Sequence, residues 1–267
     1  MIKIITGLCA SFLLLTSLSA RESDYASSHY KYIALYEQGK TEQHVRSTMG
    51  LDTFREIIRE EWDLGYDITD IKYGNGKWIG IFSASKKNSH QTYIVGSRWS
   101  SVDHVLEDYW KQGYFMTKIE HGLADWIVVF EKNTGYTNQS YERRKTLDEF
   151  TNYVEKRWKE GYDLIDLEYG QGRWTGIFAE STGYKGQAMV IRSRWSEMVP
   201  VIEQHWKQGY AVSDIEQTLG KWMVVFTKFD EDKAQGYETS ATVEKLKETL
   251  VKRQGNGYKI IDLAEGW

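Results

Sequence analysis

Apolar residues recur along this chain in two alternating rhythms. In the first, Phe54, Ile57, Ile58 and Trp62 share one register, and Leu147, Phe150, Val154 and Trp158 another of the same kind, as do Val102, Leu106, Tyr109 and Trp110. Spacings of three, four, seven and eight residues put such side chains on one face of a helix. In the second, five-residue runs such as Trp78 to Phe82 and Trp126 to Phe130 are apolar at every position but one glycine. That pattern predicts a strand covered on both faces, hence the middle strand of its sheet. Tyr66 to Ile71 and Tyr162 to Leu167 read as a first strand, Gly74-Asn75-Gly76 as a turn, and Gln139 to Arg143 as a third strand with one wet face.

Both rhythms repeat. Gly-Tyr stands at 65-66, 113-114, 161-162, 209-210 and 257-258, each step being 48 residues, and Trp62, Trp110, Trp158 and Trp206 keep the same period, as do Trp78, Trp126, Trp174 and Trp222. A longer period of 96 lies over it: YGNGKWIGIF from Tyr73 returns as YGQGRWTGIF from Tyr169, and Arg98-Trp99 returns as Arg194-Trp195. The fold class expected is an α/β repeat protein of five 48-residue units, each one helix plus three strands. Four units fall at about 51–98, 99–146, 147–194 and 195–242. The fifth is divided between 24–50, where Lys31 to Glu37 matches the middle strand and Gln43 to Ser47 the third, and 243–267. A closed α/β propeller, analogous at fold level to the pentein ring, explains a split unit because it removes both exposed edges; an open solenoid is the other arrangement. Ser100, Asp148 and Ser196 are expected as helix N-caps, Pro200 in a first turn, and the glycine of each Gly-Tyr as the helix stop.

Residues 1–20 stand apart from the repeat. Lys3, the apolar stretch from Leu8 to Leu18 and the small residues ending at Ala20 read as a secretory signal peptide, with residues 21–267 as one repeat domain, secreted or periplasmic. Cys9 lies inside that signal, so the mature chain is expected to have neither disulfide nor thiolate chemistry. No later segment is apolar enough to span a membrane. With 41% hydrophobic residues and 11 Trp the chain can bury a core, and a net charge of −4 gives no bias toward nucleic acid.

Candidate chemistry is sparse. Gln43, Gln91, Gln139, Gln187 and Gln235 share one register and would form a ring of amides in a closed propeller. They either fix unit-to-unit register through backbone bonds or line an axial mouth that holds a small ligand. Trp99 and Trp195 lie between strand and helix in two of the five units, each as an interface plug or an exposed platform. The other repeated tryptophans are expected in the core. Asp70, Asp166, Asp214 and Asp262, with Lys118 in the second unit, hold one position of the first strand, where turn capping is the architectural reading and paired-carboxylate catalysis the other. The six histidines show no ligand spacing. No catalytic residue, metal site or cofactor is expected.

The W-x-x-G-Y helix ends at 62–66, 110–114, 158–162 and 206–210, the W-x-V-V-F strands at 126–130 and 222–226, and TGYTNQSY from Thr134 to Tyr141 carry a family resemblance. The sequence resembles a domain of unknown function that follows the kinase in plant casein-kinase-1-like proteins and occurs alone in microbial proteins. Similarity covers about residues 30 to 267. The chain departs from that pattern in its signal peptide, in Gln254 where Trp is expected, and in having no Gly-rich phosphate loop, H-R-D or D-F-G, so the resemblance implies no kinase activity. The expectation is a non-enzymatic repeat domain that binds a macromolecule or glycan through one rim. A hydrolase with an axial centre and a purely structural envelope protein are the alternatives.

Overall fold

A computed structural model describes residues 31–85 and 90–266 of the chain. The signal peptide expected at 1–20 lies outside the described residues. The chain opens with β1 (Lys31–Gln38) and then repeats one cycle of strand, helix, strand, strand. The first cycle is β2 (Gln43–Thr48), α1 (Leu51–Asp63), β3 (Tyr66–Gly74) and β4 (Lys77–Ala84). The second is β5 (Gln91–Gly96), α2 (Trp99–Lys111), β6 (Phe115–Gly122) and β7 (Asp125–Glu131). The third is β8 (Asn138–Arg144), α3 (Leu147–Lys159), β9 (Asp163–Gly170) and β10 (Arg173–Glu180). The fourth is β11 (Gly186–Arg192), α4 (Trp195–Lys207), β12 (Ala211–Thr218) and β13 (Lys221–Lys228). The chain ends with β14 (Gln235–Ser240), α5 (Val243–Gly255) and β15 (Tyr258–Gly266).

These strands make five separate three-stranded antiparallel sheets, in the orders β2-β4-β3, β5-β7-β6, β8-β10-β9, β11-β13-β12 and β14-β1-β15. The doubly apolar strand is central in each. The fifth sheet takes its middle strand from one end of the chain and its other two from the opposite end. One assignment shifts: Gln43 to Ser47 pairs with β4 and not with β1, and each later third strand likewise opens the next sheet. The structural unit therefore starts at a strand, eight residues ahead of a helix-first boundary. The reason lies in the connections, since the inner and middle strands are joined by two-residue hairpins whereas the longer loop after the middle strand crosses to the neighbouring sheet.

Packing explains why the middle strand is apolar on both faces. In the first unit Phe54, Ile57 and Ile58 of α1 cover Trp78 and Phe82 of β4, while Ile127 and Val129 of β7, from the next sheet, close the same cluster from behind. Each helix thus lies between its own sheet and the back of its neighbour. Five such clusters link successive sheets, and the last joins Leu246 and Leu250 of α5 to Ile79 and Ile81 of β4. The inner strands also touch in cyclic order, β3 against β6, β6 against β9, β9 against β12, β12 against β15 and β15 against β3.

Helix boundaries follow local chemistry. Gly65, Gly113, Gly161, Gly209 and Gly257 stop the five helices at φ between 75° and 87°, the left-handed region where a Cβ is unwelcome. The starts fall two residues earlier than expected. Arg98, Thr146 and Arg194 are the N-caps, so Ser100, Asp148 and Ser196 sit inside the first turn. At Thr146 the reason is visible, because its hydroxyl accepts from Glu149 N–H while Glu149 accepts from Thr146 N–H, a reciprocal capping box. Pro200 is the sixth residue of α4, beyond the first turn, and the helix continues through it.

The hairpins between inner and middle strands have two successive residues at positive φ: Asn75-Gly76, Gln171-Gly172, Leu219-Gly220, and in the second unit Leu123-Ala124, where Ala124 stands at φ 70°. A left-handed conformation costs a residue with a Cβ roughly 1–2 kcal/mol. Ala124→Gly is therefore expected to stabilise the protein by about 1 kcal/mol, after allowing for glycine's extra unfolded-state entropy. Urea unfolding checks this, and a destabilised variant would contradict it.

Candidate functional site

The inner strands carry the densest chemistry, and a repeated irregularity places it. Each inner strand slips register against its middle strand at one position, as between Ile68 and Asp70 in β3 and between Val212 and Asp214 in β12. The extra residue turns the alternation over. Ile68 and Ile71 can therefore both face the helix, while Asp70 and Lys72 face the inner strands of other units.

Two charged layers result. Lys118 Nζ lies 3.0 Å from Asp166, 3.4 Å from Asp70 and 3.5 Å from Asp262, drawing three units onto the second. Asp214, also buried, completes that layer. Two residues along the strands, Lys72 Nζ contacts Glu216 and lies 3.5 Å from Glu120 and 3.6 Å from Glu168, with Ala264 in the fifth unit. Both layers gather side chains from several units in one buried place between the inner strands, called the axis below. The aspartates were expected to cap turns. Asp70 does accept from the adjacent Ile71 N–H at 3.0 Å, but the shared role is to cap neighbouring strands: Leu263 N–H donates to Asp70 at 2.6 Å, Ile119 N–H to Asp166 at 2.7 Å and Ile215 N–H to Asp262 at 2.8 Å. Glu120 likewise accepts from Tyr73 N–H at 2.9 Å.

Burial dominates the proton equilibria here. Desolvation, resisted by Lys118, pushes Asp262 up to about 7, and desolvation resisted by Lys72 pushes Glu120 up to about 8. Asp70 and Glu216 are raised by the same cause, and Asp214 and Glu168 well above the carboxylate range, where neighbouring carboxylates add to it. Burial works against both ammonium groups, but the surrounding carboxylates outweigh it and hold Lys72 and Lys118 well above the usual lysine value. Each ammonium sits between carboxylates. Chemically the axis is a self-neutralising cluster.

The glutamines lie farther out, at the joints between sheets. Gln139 Oε1 accepts from Met116 N–H at 2.8 Å and from Trp110 Nε1 at 3.1 Å, and its amide donates to Met116 O at 2.8 Å. Gln91, Gln187 and Gln235 make the same three bonds to Ile68 and Trp62, to Leu164 and Trp158, and to Val212 and Trp206. Gln43 clamps Ile260 in the same way, and Gln254, standing for the missing tryptophan, donates instead to the Gln43 backbone carbonyl at 3.1 Å. These amides fasten strand to strand across units. A cavity of about 270 Å³ does open beside Gln43 and Gln91. The helix tryptophans are half-buried partners of this clamp, whereas Trp78, Trp126, Trp174 and Trp222 are fully buried.

Trp99 and Trp195 have different fates. Trp99 is 5% exposed and packs edge-on against Trp126 at 4.9 Å and tilted against Tyr141 at 5.0 Å. Arg143 lies 5.2 Å over both indoles, and its guanidinium donates to Thr175 Oγ1 and to Gly170 O at 3.1 Å each. Trp195 keeps the aromatic neighbours, Trp222 at 5.0 Å and Tyr237 at 5.3 Å, but lines an open groove of about 520 Å³. The residue matching Arg143 there is Thr239. Among the histidines, His44 bonds the buried Glu61 at 2.7 Å, while His121 packs on Trp126 and His205 on Phe226.

The glutamate layer escaped the sequence reading. Its signal was present, since Lys72, Glu120, Glu168 and Glu216 keep the 48-residue step. Two neighbouring registers in which lysine appears once among acids form a pattern that solvent-facing positions have no reason to keep.

The axial carboxylates fix a pH dependence. Groups whose folded pKa is raised hold protons that the unfolded chain releases, so their contribution is fully present below about pH 4 and is lost as pH rises through about 7 to 8. Glu120→Gln keeps the acceptor for Tyr73 N–H and removes one titration. Urea unfolding is expected to show a smaller stability loss between about pH 5 and about pH 8 in the variant than in the parent. A loss as large as the parent's would refute the assignment. At the joints, Gln139→Ala orphans Met116 N–H and O and Trp110 Nε1, and is expected to cost about 1–3 kcal/mol by the same measurement; an unchanged midpoint and slope would show the joint to be solvated.

Comparison with known proteins gives a family and no activity. No curated protein matches the chain. A family model described as "Domain of unknown function (DUF7477)" matches residues 27–196, from the segment ahead of β1 to the start of α4. With more than half of its length matched, the chain belongs to this family of unknown function.

Proposed function

We propose that the protein is a closed five-bladed α/β propeller, exported to the periplasm or cell exterior, that binds a macromolecule or glycan without catalysing a reaction. The cyclic contacts of the inner strands and the fifth sheet built from both ends of the chain support closure. Lys3, the apolar run from Leu8 to Leu18 and the small residues at Ala20 support export. Among the described residues no helix is long and apolar enough to cross a membrane.

One observation carries the binding reading. Trp99 and Trp195 are equivalent in the 96-residue repeat, yet one is sealed by Arg143 and the other lines an open groove. A residue that merely served the architecture would be covered in both. The groove lies on the rim where the helices begin, a place suited to a partner too large for a cleft. Of the axial acids, the natural centre for a hydrolase, Asp70, Asp166, Asp262, Glu120, Glu168 and Glu216 are instead committed to two ammonium groups or to backbone N–H donors. The resemblance to the domain beside the kinase in plant casein-kinase-1-like proteins fits a recognition module that accompanies a separate activity.

The test is a glycan array and a displayed random-peptide library, each probed with residues 21–267 and with Trp195→Ala. Ligands retained by the parent and lost by a Trp195→Ala variant of unchanged urea midpoint are expected. Failure of the parent to retain anything would favour a structural envelope protein, and turnover of ester, peptide or glycoside substrates would favour the hydrolase.

A further inference from the structure

The five joints between sheets can be compared position by position. Each brings the first residue of a helix against the outer strand of the next sheet. Leu51 and Val95 pack as partly buried residues against one core cluster, Leu147 and Ile191 against another, and Val243 is buried in a third. Trp99 meets Arg143. Trp195 meets Thr239, and here the joint stays open.

Three changes separate the open joint from its sealed counterpart. Arg143 becomes Thr239, which removes the side chain that fills the slot. Thr175, the hydroxyl that accepts from Arg143, is matched by Ile33, since Thr175 pairs with Arg143 across the sheet as Ile33 pairs with Thr239. Asp103, which accepts from the Tyr141 hydroxyl, is matched by Val199. The cation and two polar groups have gone together, and a threonine and two apolar side chains stand in their places. Ile33, Val199, Trp195, Trp222 and the Tyr237 ring make most of the groove apolar, with the hydroxyls of Ser196 and Thr239 at its side.

Lys31 and Arg194 border the groove and no carboxylate is among its lining residues, while Glu203 lies near Tyr237. A cationic side chain brought by a partner would now meet two like charges. A sugar ring would bury hydroxyls against Ile33 and Val199, where each unpaired polar group is penalised. An apolar side chain loses nothing in the slot and gains the aromatic faces. Carboxylates beside it would meet Lys31 and Arg194.

We infer that this groove binds an acidic peptide segment, with one aromatic or branched apolar side chain laid in the slot against Trp195, Ile33 and Val199 and the flanking carboxylates set against Lys31 and Arg194. This rests on the binding reading above and names the class of partner.

The experiment uses the full mature chain. A displayed random-peptide library is selected on it, and the enriched sequence is made as a fluorescent peptide for anisotropy titration. The enriched sequences are expected to carry an apolar residue bracketed by Asp or Glu. Thr239→Arg installs the plug that Arg143 provides in the sealed joint, with Gly266 O matching the acceptor Gly170 O, and should weaken binding by at least about tenfold while Thr239→Ser leaves it unchanged. Replacing the peptide's acids by their amides should weaken it several-fold, as should raised salt. Should Thr239→Arg fail to fold, the double variant Lys31→Glu, Arg194→Glu carries the same test, with loss of the acidic peptide as the expected result. Enriched peptides without acidic flanks, or binding indifferent to both variants, would overturn the inference. Uronic or sulfated glycans bound in a way that Thr239→Arg abolishes would overturn the peptide class while leaving rim binding intact. A parent that binds neither peptide nor glycan would fail the broader reading as well.

Discussion

Five strand edges meet at the centre of this protein, and their backbone N–H groups need acceptors where little water reaches. Each inner strand is bonded on one side only, to its own middle strand. In a continuous barrel the next strand would satisfy the other side. Here side-chain carboxylates do it, Asp70, Asp166 and Asp262 and then Glu120 accepting from strands of the preceding units. The remaining central features follow from that choice. Seven carboxylates in two layers cannot all stay ionised in a buried space, so one unit in each layer supplies a lysine, and several of the acids hold their protons to higher pH. The inner strands must also approach closely. At Gly122 a Cβ would lie 2.1 Å from Tyr73 of the adjoining strand, and at Gly170 one would lie 2.5 Å from His121.

Much of this architecture is legible in the residues, because a packed repeat writes its contacts at a fixed interval. The helix stops at Gly-Tyr, the doubly covered middle strand and the division of one unit between the ends all follow from spacing. The glutamine joints were half legible, since the shared register pointed to a shared role, but only the fold shows that Trp62, Trp110, Trp158 and Trp206 are their partners. What spacing hides is the bulge. A one-residue slip makes Ile68 and Ile71 face the same way although a regular strand would separate them, and so Asp70 reads as a strand-end residue when it belongs to the axis. The strand-to-sheet assignment was hidden for a related reason. A period tells how far apart equivalent residues lie, and not where along the cycle one sheet gives way to the next.

Repetition also supplies an internal standard for judging departures from it. Trp99 and Trp195 are the same residue in the same place, so their different surroundings trace to the residues that differ, Arg143 against Thr239 and Thr175 against Ile33. An isolated groove in a non-repetitive protein offers no such control. The helix starts give a smaller example. Thr146 and Thr242 cap their helices with a hydroxyl, whereas Arg98 and Arg194 cap theirs with none, and it is the latter pair that present a tryptophan as the first helical residue.

The fifth sheet has a consequence for how the molecule is made. β1 leaves the ribosome ahead of every other described strand, carrying Ile33 and Leu35, yet both its partners lie near the other end, with Lys31 opposite Gly266 and Tyr32 opposite Ser240. Sheets such as β2-β4-β3 can assemble from neighbouring sequence as synthesis proceeds. β1 must wait with its apolar side chains uncovered until β14 and β15 arrive, and the loop closed at that moment is nearly the whole chain. The earliest strand synthesised is therefore the last that can be seated, and a chaperone acting on this protein would find its longest-lived target at the amino-terminal end.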